Sequence, residues 1–366
     1  MPSTSTQLPL DLPANPPDEP DPLPCDRWTA TSALQKAIRR GLAGTARRAA
    51  MNLLEHDARA LWRRLTVIAV EDISIGDMDA VAETVSLAGD AKARARLGGE
   101  RQAILYVCGR LAKAVKERGT DLLLSVARHA PDLEPMRELA GSVTVAQRIE
   151  HAMRPDWTLA QRAVAAWYAS GLEIRPERRV GRGDLAGLLD AFATEGVPPA
   201  LLQTVHAAAR PTREPICAML PLLWLTAGRE PVRVETEAFA TPELDGVPLC
   251  ALDGHTRLGR QAIARLSRED TAIADFLVRH VPDFRAQRAL QLAVFYADST
   301  RLDRRLDWLG SGELEAEGIA ADFIGARVDP GAGRDLVALV GGHIDHLNAI
   351  RAEVLSRSPD DKGDAR

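Results

Sequence analysis

Residues 253–260 read Asp-Gly-His-Thr-Arg-Leu-Gly-Arg, which places an acid, an imidazole and two guanidinium groups within eight positions. A carboxylate can orient a histidine ring for proton transfer, and arginine grips phosphate through paired N–H donors. Asp253, His255, Arg257 and Arg260 are therefore the candidate catalytic set, for an anion or nucleotide pocket. The competing reading is structural. Asp253 and Thr256 can cap the helix that follows, and the two arginines can be surface charges. Sequence alone favours the capping reading.

A second chemistry is phosphate-backbone binding, which depends on clustered Lys and Arg. Arg175, Arg178, Arg179 and Arg182 form the densest basic segment, and Arg63-Arg64 form a basic pair. These six are the candidate contacts to nucleic acid or a partner. No aromatic residue is interleaved with the basic segment, so base stacking is not expected. Glu173 and Glu177 nearby also fit a solvated linker. For metals, Glu71, Asp72, Asp77 and Asp79 lack the ligand spacing of a hard-cation loop and read as helix-start charges. His343 and His346 stand three apart with no Cys or carboxylate pattern beside them. No metal and no cofactor is expected.

These residues sit in a pattern of short helices. In 32–41, Leu34 and Ile38 lie one turn apart, Thr29 or Thr31 can cap the start, and Gly41 suits the end. The charged residues Lys36, Arg39 and Arg40 fall off that apolar stripe. Thr45 can cap a second helix, and Asp57 a third with Leu61, Leu65 and Ile68 inward and Arg59, Arg63 and Arg64 outward. Further helices are predicted over 78–88, 100–117, 160–170, 184–193, 199–208, 214–225, 283–296, 298–308 and 335–355, with one more leading from Asp253–Arg260 through Ile263 and Leu266. Residues 92–96 read as a basic connector. Val232–Thr236 alternates as an isolated short strand, and 242–253 as an irregular connection.

The chain has 366 residues, 46 basic and 51 acidic, for a net charge of −5. Its length allows a sizeable core and two domains, and its charge excludes a generic polyanion binder. Aromatics make up only 4% of residues, which favours helices packed through small and aliphatic side chains. Cys25, Cys108, Cys217 and Cys250 are scattered. That spacing speaks against a zinc ribbon or disulfide framework and suits a reducing cytoplasm, the expected location. No signal-peptide pattern and no membrane-length apolar run is present. The expected organisation is a Pro-rich disordered tail over 1–26, a helical domain over 27–140, a second helical domain over 141–356, and a polar tail over 357–366. The fold class is all-α.

The stretch from Trp28 to Asp77 resembles the helical region that follows the ATPase core in the replication-associated recombination protein A family, also called maintenance of genome stability protein A. Ser32-Ala33-Leu34, Lys36, Arg39, Arg63-Arg64-Leu65, Ile68-Ala69 and Glu71-Asp72-Ile73 carry the likeness. It departs at Val70 and at Ser74-Ile75, and it covers roughly residues 28–125, about a quarter of the chain. That family is related to clamp-loader ATPases. The resemblance implies a clamp-loader-collar-like N-terminal bundle, self-association, and contact with replication partners such as DNA or a clamp-loader-type ATPase.

The tail adds a second likeness. Eight of the 23 prolines fall in the first 24 residues, and within this leader lies Gln7-Leu8-Pro9-Leu10-Asp11-Leu12. It resembles the bacterial sliding-clamp-binding motif. On that likeness Gln7 takes a polar subsite, Leu10 and Leu12 fill an apolar pocket, and Leu8 packs at its rim.

The chain contains no Gly-x-x-x-x-Gly-Lys-Ser/Thr loop, so the phosphate cradle of the resembled ATPases is missing and ATP hydrolysis is not expected. Two functional classes follow. One is a non-enzymatic replication or repair accessory protein that docks on the sliding clamp. The other is an enzyme or binding module for a phosphate-containing or nucleic-acid ligand, centred on Asp253, His255, Arg257 and Arg260.

Overall fold

The computed structural model describes residues 20–174, 181–228 and 232–357 of the chain. Within them the fold is all-α and multi-helical. The N-terminal half runs through α1 (Arg27–Arg39), α2 (Ala43–Leu54), α3 (Ala58–Ile68), α4 (Met78–Gly89), α5 (Ala91–Arg96), α6 (Glu100–Lys113), α7 (Gly119–His129), α8 (Glu134–Ser142), α9 (Val145–Ala152) and α10 (Leu159–Ser170). Next come α11 (Leu185–Thr194), α12 (Pro199–Thr212) and α13 (Ile216–Ala227). After three short strands, β1 (Arg233–Thr236), β2 (Glu243–Leu244) and β3 (Val247–Pro248), the chain forms α14 (Arg257–Glu269), α15 (Thr271–His280) and α16 (Asp283–Val294). Strand β4 (Arg304–Asp307) precedes α17 (Ser311–Gly325), α18 (Pro330–Gly342) and α19 (Ile344–Ser356). No helix among the described residues is long and apolar enough to cross a membrane.

Local chemistry sets many of these boundaries. Asp57 accepts hydrogen bonds from the backbone N–H groups of Arg59 and Ala60, and so caps α3. Asp77 does the same for α4 through Ala80. Gly41, at φ +71°, takes the left-handed turn after α1, a conformation that costs glycine little. The start of α1 is capped by Asp26 rather than by a threonine. Its carboxylate accepts from the N–H groups of Trp28 and Thr29.

Two apolar cores form. The larger gathers residues from Leu23 to Ala227, then Val247 to Leu258, and returns at Leu306, Trp308, Leu314 and Ala321. It therefore draws on both sides of the 140/141 division expected from sequence. The smaller core packs α14, α15 and α16 against α17, α18 and α19, through Ile263, Leu266, Leu290, Phe323, Leu336 and Ile350.

Several elements differ from the sequence expectation. Residues 298–308 are not a helix. A π-helical turn, Phe295–Ser299, leads into β4, whose backbone is bonded on both sides. β1 pairs with it antiparallel, and Lys116 donates to the Arg304 carbonyl while accepting from the Leu306 N–H, each at 2.8 Å. For the same reason β1 is not isolated, and the helix expected to reach residue 117 stops at Lys113 so that the chain can extend towards β4. Residues 91–96 form α5 instead of a connector, since Asp90 caps them. Residues 335–355 divide at His343 into α18 and α19. Helix α17 was hidden by its acidic start and internal glycines. Gly318 is used for close approach: a Cβ there would fall 2.6 Å from Leu122 Cδ2 of α7.

Candidate functional site

Every residue from Ser32 to Arg40 is buried, so α1 is enclosed on all sides from Ser32 onward. Lys36, Arg39 and Arg40 thus face protein rather than water, contrary to the amphipathic reading. A buried ion must be paired and hydrogen-bonded to be tolerated. The carboxylate partners come from three other segments.

The first partner segment directly follows α3. There the helix widens into a π-helical turn, Ala69–Ile73, which carries Glu71 and Asp72 against α1. π-Turns interrupt the regular helical ladder and are frequent at functional sites. Arg39 donates from Nε to Asp72 Oδ1 (2.8 Å), from Nη2 to Glu71 Oε1 (2.9 Å) and from Nη1 to the Ser299 carbonyl (2.9 Å). Gln35 donates to Asp72 Oδ2 at 2.7 Å, and Arg118 Nε adds a third contact at 3.2 Å. Burial pushes the Asp72 carboxyl up. Arg39, Arg118 and the Gln35 amide more than offset this and hold it below its usual range.

Lys36 donates to Ser32 Oγ (2.7 Å) and Asp253 Oδ2 (2.6 Å). Arg40 and Arg351 share Asp298, at 2.5 and 2.6 Å. Burial raises the affinity of Asp253 and Asp298 for protons, but their cations prevail and both carboxyls are lowered. Asp298 lies in the second π-helical turn. The ring of Phe295, from that turn, lies beneath both Arg39 and Arg118, 5.7 and 5.5 Å from their guanidinium carbons. The two π-turns therefore present carboxylates and an aromatic face to one set of buried cations.

One cleft opens beside this layer. Its volume is about 660 Å³, and Glu117, Arg118, Tyr296, Arg301, Arg305 and Glu315 are among its lining residues. Burial raises the Glu117 carboxyl, which accepts from the Gly119 N–H at 2.8 Å and from Trp308 Nε1 at 3.3 Å. Arg301 pairs with Glu237 at 2.5 Å, and Arg305 with Glu315 at 2.7 Å. The cleft is polar but its arginines are internally paired, so it has no surplus of cations to grip an anion.

Asp253 of the candidate catalytic set does not orient the imidazole. Its Oδ2 is held by Lys36, and its Oδ1 accepts the backbone N–H of His255 at 2.9 Å. Thr256 caps α14 by accepting from Gly259 N at 3.0 Å. Gly259 is required there, since a Cβ would fall 2.0 Å from the Asp253 carbonyl oxygen. His255 is exposed at one edge, with its ring 6.4 Å from Phe295. Enough protein surrounds the imidazole that partial desolvation lowers its pKa, against the pull of Asp253. Arg257 and Arg260 are exposed.

The basic candidates are dispersed. Arg63 is exposed, and its Nη2 lies 3.4 Å from the Thr212 carbonyl. Arg64 donates to the Gln35 side chain. Arg182 is exposed, while Arg175, Arg178 and Arg179 lie outside the described residues, as do Gln7, Leu8, Leu10 and Leu12. In the acidic corner, Asp77 makes a two-pronged pair with Arg110 at 2.6 and 2.8 Å. His343 and His346 both place Nδ1 on Asp270 Oδ2, at 2.6 and 3.0 Å. Among the described residues no group of three or more metal-ligating side chains is poised to hold an ion. The four cysteines are free. Burial pushes the thiols of Cys25, Cys108 and Cys217 up to about 12, which makes them poor nucleophiles.

The layer formed by Lys36, Arg39, Arg40, Arg118 and Arg351 was missed because helical periodicity assigns charges to solvent. The one local signal was the run Lys36, Arg39, Arg40, which shares one side of α1 with Ser32. Comparisons with protein-family models, with curated proteins and with solved structures find no match for this chain.

Proposed function

We propose that this chain is a non-enzymatic accessory protein of DNA replication or repair. It docks on the sliding clamp through Gln7, Leu8, Leu10 and Leu12, and its helical body binds DNA or a clamp-loader-type ATPase. One observation carries this reading. The two sequence pieces that resemble the recombination-protein family meet as one ion-paired node, in which Arg39 joins Glu71 and Asp72 while Arg64 joins Gln35. The matched residues Arg39, Glu71 and Asp72 are thus also partners in space, which supports a shared helical unit. The fate of Asp253 points the same way. With that carboxylate held by Lys36, the Asp253–Arg260 segment has the geometry of a helix entry rather than of an acid–imidazole pair.

In this reading the basic residues Arg63, Arg64, Arg175, Arg178, Arg179 and Arg182 are the contact candidates of the body. The tail docks as an extended peptide with alternating aliphatic anchors.

The test is binding of the full-length protein to the sliding clamp of its source organism, measured beside the Gln7→Ala/Leu10→Ala/Leu12→Ala variant. A peptide of residues 1–24 serves as competitor. Micromolar binding that is lost in the variant and displaced by the peptide supports the proposal. Equal binding by both proteins, or none by either, removes the clamp from it. A His255→Ala variant that abolishes a nucleotide-dependent activity would instead favour the enzyme class.

A further inference from the structure

A second concavity lies away from the charged layer, between the C-terminal part of α7, the start of α10 and the outer face of α17. Its volume is about 580 Å³, within the range of ligand and peptide sites. Its floor is apolar, with Val126, Leu133, Leu159, Leu314 and Ile324 among the lining residues. Leu309 stands at its edge with 73% of its surface exposed, an unusual position for a large aliphatic side chain next to other apolar surface.

The charged lining is all of one sign. Asp132, Glu313 and Glu317 are all exposed, and no Lys or Arg lines the groove. Asp132 and Glu313 repel charge on Glu317 and, behind partial desolvation, raise its carboxyl. Elsewhere in the described protein carboxylates regularly find arginine partners, as Glu315 finds Arg305 on the other side of α17. Glu313 gains some support from the first turn of α17. Asp132 stands in the first turn of a short helical segment, Pro131–Leu133, and Glu317, in the middle of α17, gains no such support. Three like-charged carboxylates around an apolar floor, with no cation among the lining residues, form a rim complementary to an approaching cationic segment.

We infer that this groove is the docking site for a basic, aliphatic-anchored segment of a partner protein, whose Leu-type side chains enter between α7, α10 and α17 while flanking Lys or Arg meet Asp132, Glu313 and Glu317. The partner charge follows from the rim, and the anchors follow from the floor. The site is separate from the tail motif, so it stands or falls independently of clamp docking.

The experiment uses the full-length protein and a fluorescent synthetic Leu/Lys peptide of about 16 residues, with Leu at helical i, i+3, i+4 spacing. A Leu/Glu peptide of the same pattern is the control. Two variants test the groove: Glu313→Lys/Glu317→Lys, which changes exposed side chains only, and Ala320→Arg, which obstructs the floor. Circular dichroism melts establish that each is folded, and the charge-reversal variant suffices if Ala320→Arg is not. Binding of the basic peptide that weakens roughly tenfold or more in the groove variants, and falls with added salt, supports the proposal. Unchanged affinity in the charge-reversal variant overturns it, as does equal binding of the acidic peptide or no binding at all. Sedimentation velocity supplies the last outcome. Self-association of the wild type that disappears in the groove variants would make a second copy the occupant and overturn the partner assignment.

Discussion

Lys36 Nζ and Asp253 Oδ2 lie 2.6 Å apart although 217 positions separate them in the chain, and both side chains are buried. The pair fastens α1 to the entry of α14. It also leaves the one carboxylate of the Asp253–Arg260 segment bonded to Lys36 and to the His255 backbone rather than to the His255 ring. In energetic terms, each buried ion depends on the other for its place in the interior.

Lys36→Met should therefore destabilise the protein by about 3–5 kcal/mol, because it leaves Asp253 charged, buried and unpaired. Lys36→Met/Asp253→Leu should recover much of that loss, since an apolar pair replaces an ionic one. Urea unfolding of the two variants and the wild type measures both. A single variant within about 1 kcal/mol of wild type would mean that water reaches Asp253.

Two kinds of carboxylate give opposite pH dependences. Asp72, Asp253 and Asp298 are lowered in the fold, so their contribution is present above the unfolded value and is lost as pH falls through the folded one. Glu214 is pushed from 4.5 up to about 7, first by burial and then by Glu71, while Arg63, Arg128 and Arg64 pull it down. Its proton is held more tightly in the folded state. That stability is complete below pH 4.5 and is lost as pH rises through about 7. Glu214→Gln should thus gain on the wild type as pH rises, by on the order of 1–2 kcal/mol above the folded value. Thermal melts across this range give the answer, and a pH-independent difference would contradict the assignment.

Gly259→Ala tests the structural reading of the Asp253–Arg260 segment. The new Cβ would meet the Asp253 backbone, and backbone cannot rotate away as a side chain can. Overpacking of this kind costs about 1–3 kcal/mol, and the shift it forces also disturbs the Lys36 pair. A Gly259→Ala protein as stable as wild type would show that the turn before α14 is looser than described.

Asp270 caps α15 through Ile273 and accepts from both His343 and His346. A carboxylate can hold two neutral imidazoles this way only if each carries its proton on Nδ1. Nitrogen-15 NMR at alkaline pH should show Nδ1–H tautomers at both positions, reverting in Asp270→Ala. That variant should also lose about 1–2 kcal/mol as the cap is removed. Nε2–H tautomers in the wild type would rule the shared acceptor out.

Much of the helical framework was legible locally. Asp57 and Asp77 announced α3 and α4, because an N-cap and the turn it serves are neighbours in the chain. Leu61, Leu65 and Ile68 face the core as their spacing requires. The capping role of Thr256 could also be read from position alone. The strand at 304–307 could not, since its stability lies in bonds to Lys116 and β1, and its charged sequence equally suits an exposed helix.

The amino-acid sequence by itself determined that this is an all-α protein of short capped helices, that Ser32, Lys36, Arg39 and Arg40 share one side of α1, and that Glu71-Asp72 follow α3. Only the tertiary structure decided that this side is inward. Its cations need Asp253, Asp298 and the carbonyl of Ser299, which lie 217 to 260 positions away. Periodicity records which residues share a face but not what that face meets. A charge is placed in solvent by default unless a partner brought by the rest of the chain offsets its desolvation.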